Sequence, residues 1–164
     1  MTSKNFKHIN PDEYHGQELT LHDCIANKIS YENNILSFCL PDGFWVTTHH
    51  KENSYEKTVR TDASVVDFSI KDIDDAMVYV FTRHRWLWFR KANMEIWDME
   101  QLIALVNSEK CTLEFITQYK SHYEQMWHCA IRSNKKPYYR ECQLYLPETE
   151  ATFFWNDLRP DREW

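Results

Sequence analysis

Between Cys111 and Trp155 apolar and polar residues alternate almost one for one. Leu113, Phe115 and Tyr119 fall in phase with Cys111, against Thr112, Glu114 and Gln118 in the opposite phase. The rhythm resumes with Trp127, Cys129 and Ile131, then with Cys142, Leu144 and Leu146, and again over 152–155. A period of two places successive side chains on opposite faces of an extended ribbon, so each segment reads as a strand with one buried face. The interruptions at 120–122, 133–137 and 147–150 are short and polar, two of them carrying proline. Four strands joined this way read as an antiparallel meander with one solvated face.

The first half follows the same logic. Leu19, Leu21, Ile25 and Ile29 fall in one phase, opposed by Thr20, His22, Cys24 and Lys28. Glu32-Asn33-Asn34 reads as a reversal into Ile35–Leu40, and Pro41-Asp42-Gly43 as a turn into a strand over 44–48. These make a first meander of three strands. Residues 49–56 are polar and read as a loop, 64–70 as a fourth strand, and Asp72, Asp74 and Asp75 as an acidic turn. The most apolar stretch, 76–90, fits either one long bent strand or a tight hairpin, which periodicity does not separate.

One segment has helical spacing. Met99, Leu102, Ile103, Leu105 and Val106 recur on one stripe, preceded by Asp98 three residues before Gln101. An acceptor at the N-cap with a glutamine at the third helical position is a capping-box variant, which satisfies otherwise orphaned backbone amides. Asn107 is the expected terminator, as a residue tolerant of left-handed backbone. The fold class expected is therefore α+β: mainly antiparallel β meanders, in a curved sheet or two packed sheets, with one amphipathic helix near 98–107. The organisation expected is a polar arm over 1–17, a single globular domain over 18–156 and a charged, irregular tail over 157–164.

Composition narrows the chemistry. Only Gly16 and Gly43 are glycine among 164 residues. Phosphate-cradling loops need several glycines at fixed spacing, so the dinucleotide fingerprint and the Walker loop are both absent. A G-x-S-x-G nucleophile elbow is absent for the same reason. Five cysteines, odd in number and without a C-x-x-C pair, point to reduced thiols and a cytoplasmic location. No stretch is long and apolar enough for a membrane helix, and no membrane association is expected. The net charge of −6 disfavours non-specific nucleic-acid binding.

Candidate constellations are sparse. Eight histidines include no H-E-x-x-H or H-x-H pair, so no metal and no cofactor is expected. The acidic run at 72–75 lacks the glycine and glutamate of a calcium loop. His22 and Cys24 are two apart and can share a strand face, but nothing in the sequence supplies a third, orienting group. Arg83, Arg85, Trp86 and Trp88 interleave cations with aromatics. With Asp74 and Asp75 they form the candidate binding set, because tyrosine, tryptophan and arginine dominate contact surfaces. The reading is a small, acidic, aromatic-rich, non-enzymatic binding protein that holds another protein, in the manner of an immunity or inhibitor protein. The alternative is a small-molecule-binding curved sheet lined by Trp45, Trp86, Trp88 and Trp127, or an enzyme of unfamiliar type.

Overall fold

A computed structural model describes residues 6–12, 17–86, 89–108, 110–120, 124–147 and 150–164, without the side chains of 83–86, 89–92, 124 and 163. The strands of the first half are β1 (His8–Pro11), β2 (Leu19–Thr20), β3 (Cys24–Ala26), β4 (Lys28–Glu32), β5 (Ile35–Leu40), β6 (Trp45–Val46), β7 (Val59–Thr61) and β8 (Ser64–Ser69). Then follow β9 (Met77–Trp86), β10 (Phe89–Asp98), α1 (Met99–Asn107), β11 (Cys111–Lys120), β12 (Glu124–Ser133), β13 (Tyr139–Pro147), β14 (Ala151–Trp155) and β15 (Leu158–Glu163). Among the described residues they form three antiparallel sheets, of five strands (β1-β14-β8-β5-β4), six strands (β10-β9-β13-β12-β11-β3) and four short strands (β15-β7-β6-β2). The expected class, antiparallel α+β with one helix, is what the structure has.

The two large sheets share one core. Phe38 on β5 packs edge-on against Phe68 of its own sheet and against Phe115 of the six-stranded sheet, with centroids 5.7 and 5.3 Å away. Phe115 meets Trp127 in turn at 5.3 Å. Edge-to-face geometry sets the positive ring edge against the negative ring face, adding to the large apolar area these rings bury. The helix closes the same interior, with Met99, Leu102 and Val106 buried and contacts to β4 on one sheet and to β9, β10 and β11 on the other. Its capping box is complete: the Asp98 carboxylate accepts from the Gln101 amide at 2.9 Å, and the Gln101 side chain accepts from the Asp98 amide at 3.2 Å.

Several local expectations change. The phase of the first strands does not run unbroken from Leu19 to Ile29. Asp23 has φ +55, and this left-handed residue flips the alternation so that Cys24 and Ala26 point inward while Ile25 is only half-buried. A bulge at Ile116 does the same in β11, where the register shifts between Phe115 and Thr117 and leaves Tyr119 outward and exposed. Residues 76–90 contain the hairpin, not the bent strand: Trp86 faces Phe89, and β10 continues to Asp98. Neither predicted meander stays within one sheet. β6 leaves β5 for the four-stranded sheet, and β14 leaves β13 to lie between β1 and β8.

Both polar ends carry strands. β1 pairs with β14 from His8–Trp155 to Pro11–Thr152, and β15 pairs with β7. These strands cover otherwise bare edges, so backbone pairing places them with no need of a hydrophobic rhythm. Pro160 falls in the irregular interval of β15 between Arg159 and Glu163, where a missing N–H costs no ladder bond. Asn107 is not a left-handed terminator. It is the last helical residue, and its amide accepts from the Ile29 N–H at 3.0 Å and donates to the Ile29 carbonyl at 2.7 Å. The helix end thus serves as a partner for the edge of β4.

Candidate interaction face

The six-stranded sheet turns one face to the core and the other away from it. Inward positions include Val78, Val80, Leu113, Trp127, Cys129, Cys142 and Leu144, all buried. The antiparallel register then fixes what lies outward. One row crosses four strands: Met77 on β9 opposes Tyr145 on β13, Tyr145 opposes Met126 on β12, and Met126 opposes Tyr119 on β11. At about 4.8 Å per strand this row spans roughly 14 Å. The next row holds Ile96, Tyr79, Gln143 and His128, and the one beyond it Met94, Phe81 and Glu141. Tyr79 and Tyr145 meet edge-to-face at 5.1 Å, and the Tyr79 hydroxyl lies 3.8 Å from the Met77 sulfur.

This face is unusually apolar for one turned away from the core. Met94 and Ile96 are 56% and 61% exposed, Tyr119 54% and Met77 40%. Apolar residues clustered on an exposed face, unlike ones scattered singly, are a feature of contact sites. Methionine adapts its shape to a partner, and tyrosine offers a rigid ring with a polar tip. Acids border the Met77 end. Asp98 is the cross-strand neighbour of Met77, and the short 3-10 turn Ile73–Asp75 just before β9 exposes Asp74 and Asp75, with Asp72 capping it. Further along the sheet Arg132 pairs with Glu114 at 2.5 Å and lies over the Tyr139 ring at 5.8 Å. Burial raises the Tyr139 hydroxyl pKa first, and the nearby Glu141 and Glu114 raise it further.

The predicted binding residues separate along this sheet. Asp74 and Asp75 sit at its acidic end. The backbone of Arg83, Arg85 and Trp86 lies toward the other end of β9, about 20–30 Å from Met77 at strand spacing, and their side chains lie outside the described residues, as does Trp88 altogether. The outward residues Met126 and Tyr145, on β12 and β13, carry no mark in the sequence as contact residues, whereas Met77 and Tyr79 carry one. Their signal was that β9 is apolar in both phases, which a strand with one solvated face does not require.

The tryptophan-lined alternative does not assemble from its described members. Trp127 is buried against Phe115, whereas Trp45 lies beneath the Arg60 guanidinium at 4.5 Å and beside Trp164 at 5.5 Å. Trp86 and Trp88 have no described side chains. The His22–Cys24 pair is also taken apart. His22 Nδ1 donates to the bulge carbonyl of Ile116, and its ring stacks on Trp164 at 5.0 Å. Cys24 is fully buried, its thiol donating to the His22 carbonyl at 3.5 Å. Burial pushes that thiol up to about 11 despite the opposing Arg60, the reverse of what a nucleophile needs. Among the described residues no cluster of three or more histidine, cysteine or acidic side chains is placed to hold a metal ion. No family model, curated protein or solved structure matches this chain. No described helix is long and apolar enough to cross a membrane.

Proposed function

We propose that this chain is a protein-binding module whose contact surface is the outward face of the six-stranded sheet. The observation that carries the reading is the Met77–Tyr145–Met126–Tyr119 row, an apolar stripe turned away from the core and bordered by Asp74, Asp75 and Asp98. The partner that fits is a protein segment with an apolar stripe and flanking lysines or arginines. Apolar contact supplies affinity, and the acidic border together with the net charge of −6 speeds encounter with a basic surface. An apolar row bordered by acids suits an inhibitor-type role, in which it covers a partner's basic working surface.

The test uses capture followed by reconstitution. The full chain is used as bait in host lysate, beside Met77→Glu/Tyr145→Ser and a control carrying Ile9→Glu on the exposed edge strand β1. The captured protein is identified, purified and titrated against all three chains. A basic protein that binds wild type and the Ile9→Glu control, is lost with the face variant and weakens with added salt supports the reading. Binding that survives the face substitutions, or co-purification of a metabolite instead of a protein, overturns it.

A further inference from the structure

The six-stranded sheet ends in β3 on one side and in β10 on the other. β10 is 10 residues long and has β9 on one side in an unshifted register. Among the described residues no strand lies on its other side, and no loop or turn backbone bond reaches it. Long bare edges template further pairing, and proteins usually blunt them with proline, bulges or lysine. β10 has no proline, and it exposes Met94 and Ile96. The ordinary protection it carries is charge, at Arg90, Lys91, Glu95 and Asp98.

We propose that β10 pairs antiparallel with β10 of a second copy, about a twofold axis at Met94, joining two six-stranded sheets into one continuous sheet. The sequence of the strand selects this occupant. With Met94 opposite itself, Ile96 falls opposite Ala92, Glu95 opposite Asn93, Trp97 opposite Lys91 and Asp98 opposite Arg90. Each pairing occurs twice, as a twofold interface requires. Apolar positions meet apolar ones, and the acid and the base at the two ends of the strand meet each other.

Neighbouring registers fit less well. An axis at Glu95 sets two glutamates directly against each other and Asp98 against Ala92. An axis at Asn93 sets Ile96 against Arg90 and leaves Asp98 with no position opposite. Direct opposition of like charges destabilises a strand pair, so the self-complementary register is the one centred on Met94.

The experiment follows the mass of the full chain by light scattering and sedimentation from about 1 to 100 µM, a range that brackets micromolar association. Wild type is compared with Met94→Lys/Ile96→Lys, whose sites are exposed, with circular dichroism and Tm checking that the fold is kept. A short bis-maleimide is then applied to Met94→Cys and, as a control, to Ile9→Cys. The expected result is a concentration-dependent dimer that the lysines weaken at least about tenfold, with covalent dimer forming faster at position 94 than at position 9. A wild-type chain that stays monomeric throughout, a dimer indifferent to the lysines, or equal crosslinking at both positions each overturns the proposal.

Discussion

Removing the Asn107 side chain tests how the helix is attached to the sheet edge. Its amide makes two hydrogen bonds to Ile29, at 3.0 Å to the N–H and 2.7 Å to the carbonyl, across 78 residues of sequence. Each such bond contributes about 0.5–1.5 kcal/mol net, so the pair is worth about 1–3 kcal/mol. Asn107 is exposed, which lets water reach the vacated groups and keeps the loss below the full penalty for buried unsatisfied ones. Alanine's better helix propensity returns up to about 0.7 kcal/mol. Asn107→Ala should therefore lose about 1–2 kcal/mol. With a urea m-value of about 2 kcal/mol/M, the midpoint falls by roughly 0.5–1 M at unchanged slope. Asn107→Asp should lose more at pH 7, because it sets a carboxylate against the Ile29 carbonyl and the negative helix end. Amide exchange gives the local readout: Ile29 should lose protection in both variants. A midpoint within about 0.2 M of wild type, together with a still-protected Ile29, would falsify the tether.

Gly43 has φ +76, and a Cβ there would sit 2.3 Å from the Thr61 carbonyl oxygen. Gly43→Ala should cost at least about 3 kcal/mol, roughly 6–12 °C in Tm for a chain of this size, and an unchanged melt would show the turn is different. Burial raises the thiols of Cys24, to about 11, and of Cys129, so at pH 8 a thiol reagent should leave both unreacted until denaturant is added. Half-buried Cys39 should react first, and rapid native labelling of Cys24 would count against the packing around it. Burial lowers the pKa of His50 below its usual value of about 6.5, against the opposing pull of Glu18 and Glu52. The unfolded chain then takes up this proton first as pH falls, so stability declines from about pH 6.5 down to the lowered folded pKa. His50→Gln should show a shallower decline over that window in urea midpoints, and an identical slope would contradict the assignment.

Strands with a buried face were readable because their alternation records which side meets the core. Ile35–Leu40 and the α1 cap emerge with the bounds that their residues suggest. What failed is physically of two kinds. Asp23 and the bulge at Ile116 each shift the phase by one residue, and no composition marks a single left-handed or extra residue in an apolar run. Sheet membership failed for a different reason. The turn at Gly43 and the connection after Pro147 look like hairpin loops, yet each hands the chain to another sheet, which is decided by long-range packing. The candidate face was half legible. Tyr145 follows from the inward phase of Leu144 and Leu146, but the row it forms with Met77, Met126 and Tyr119 exists only once four strands are in register.

The position of β14 has a consequence for how the chain is made. This late strand lies between β1 and β8, and it delivers Phe153 and Trp155 against Phe44, whose ring they meet at 4.8 and 5.4 Å. During synthesis β8 therefore waits with an open edge, and Phe44 with an unfilled slot, until about residue 155 has left the ribosome. Such non-local closure is slow and leaves sticky intermediates. A lowered growth temperature, which weakens hydrophobic association, should raise the yield of intact protein, and chains halted before Ala151 should be found in the aggregated fraction.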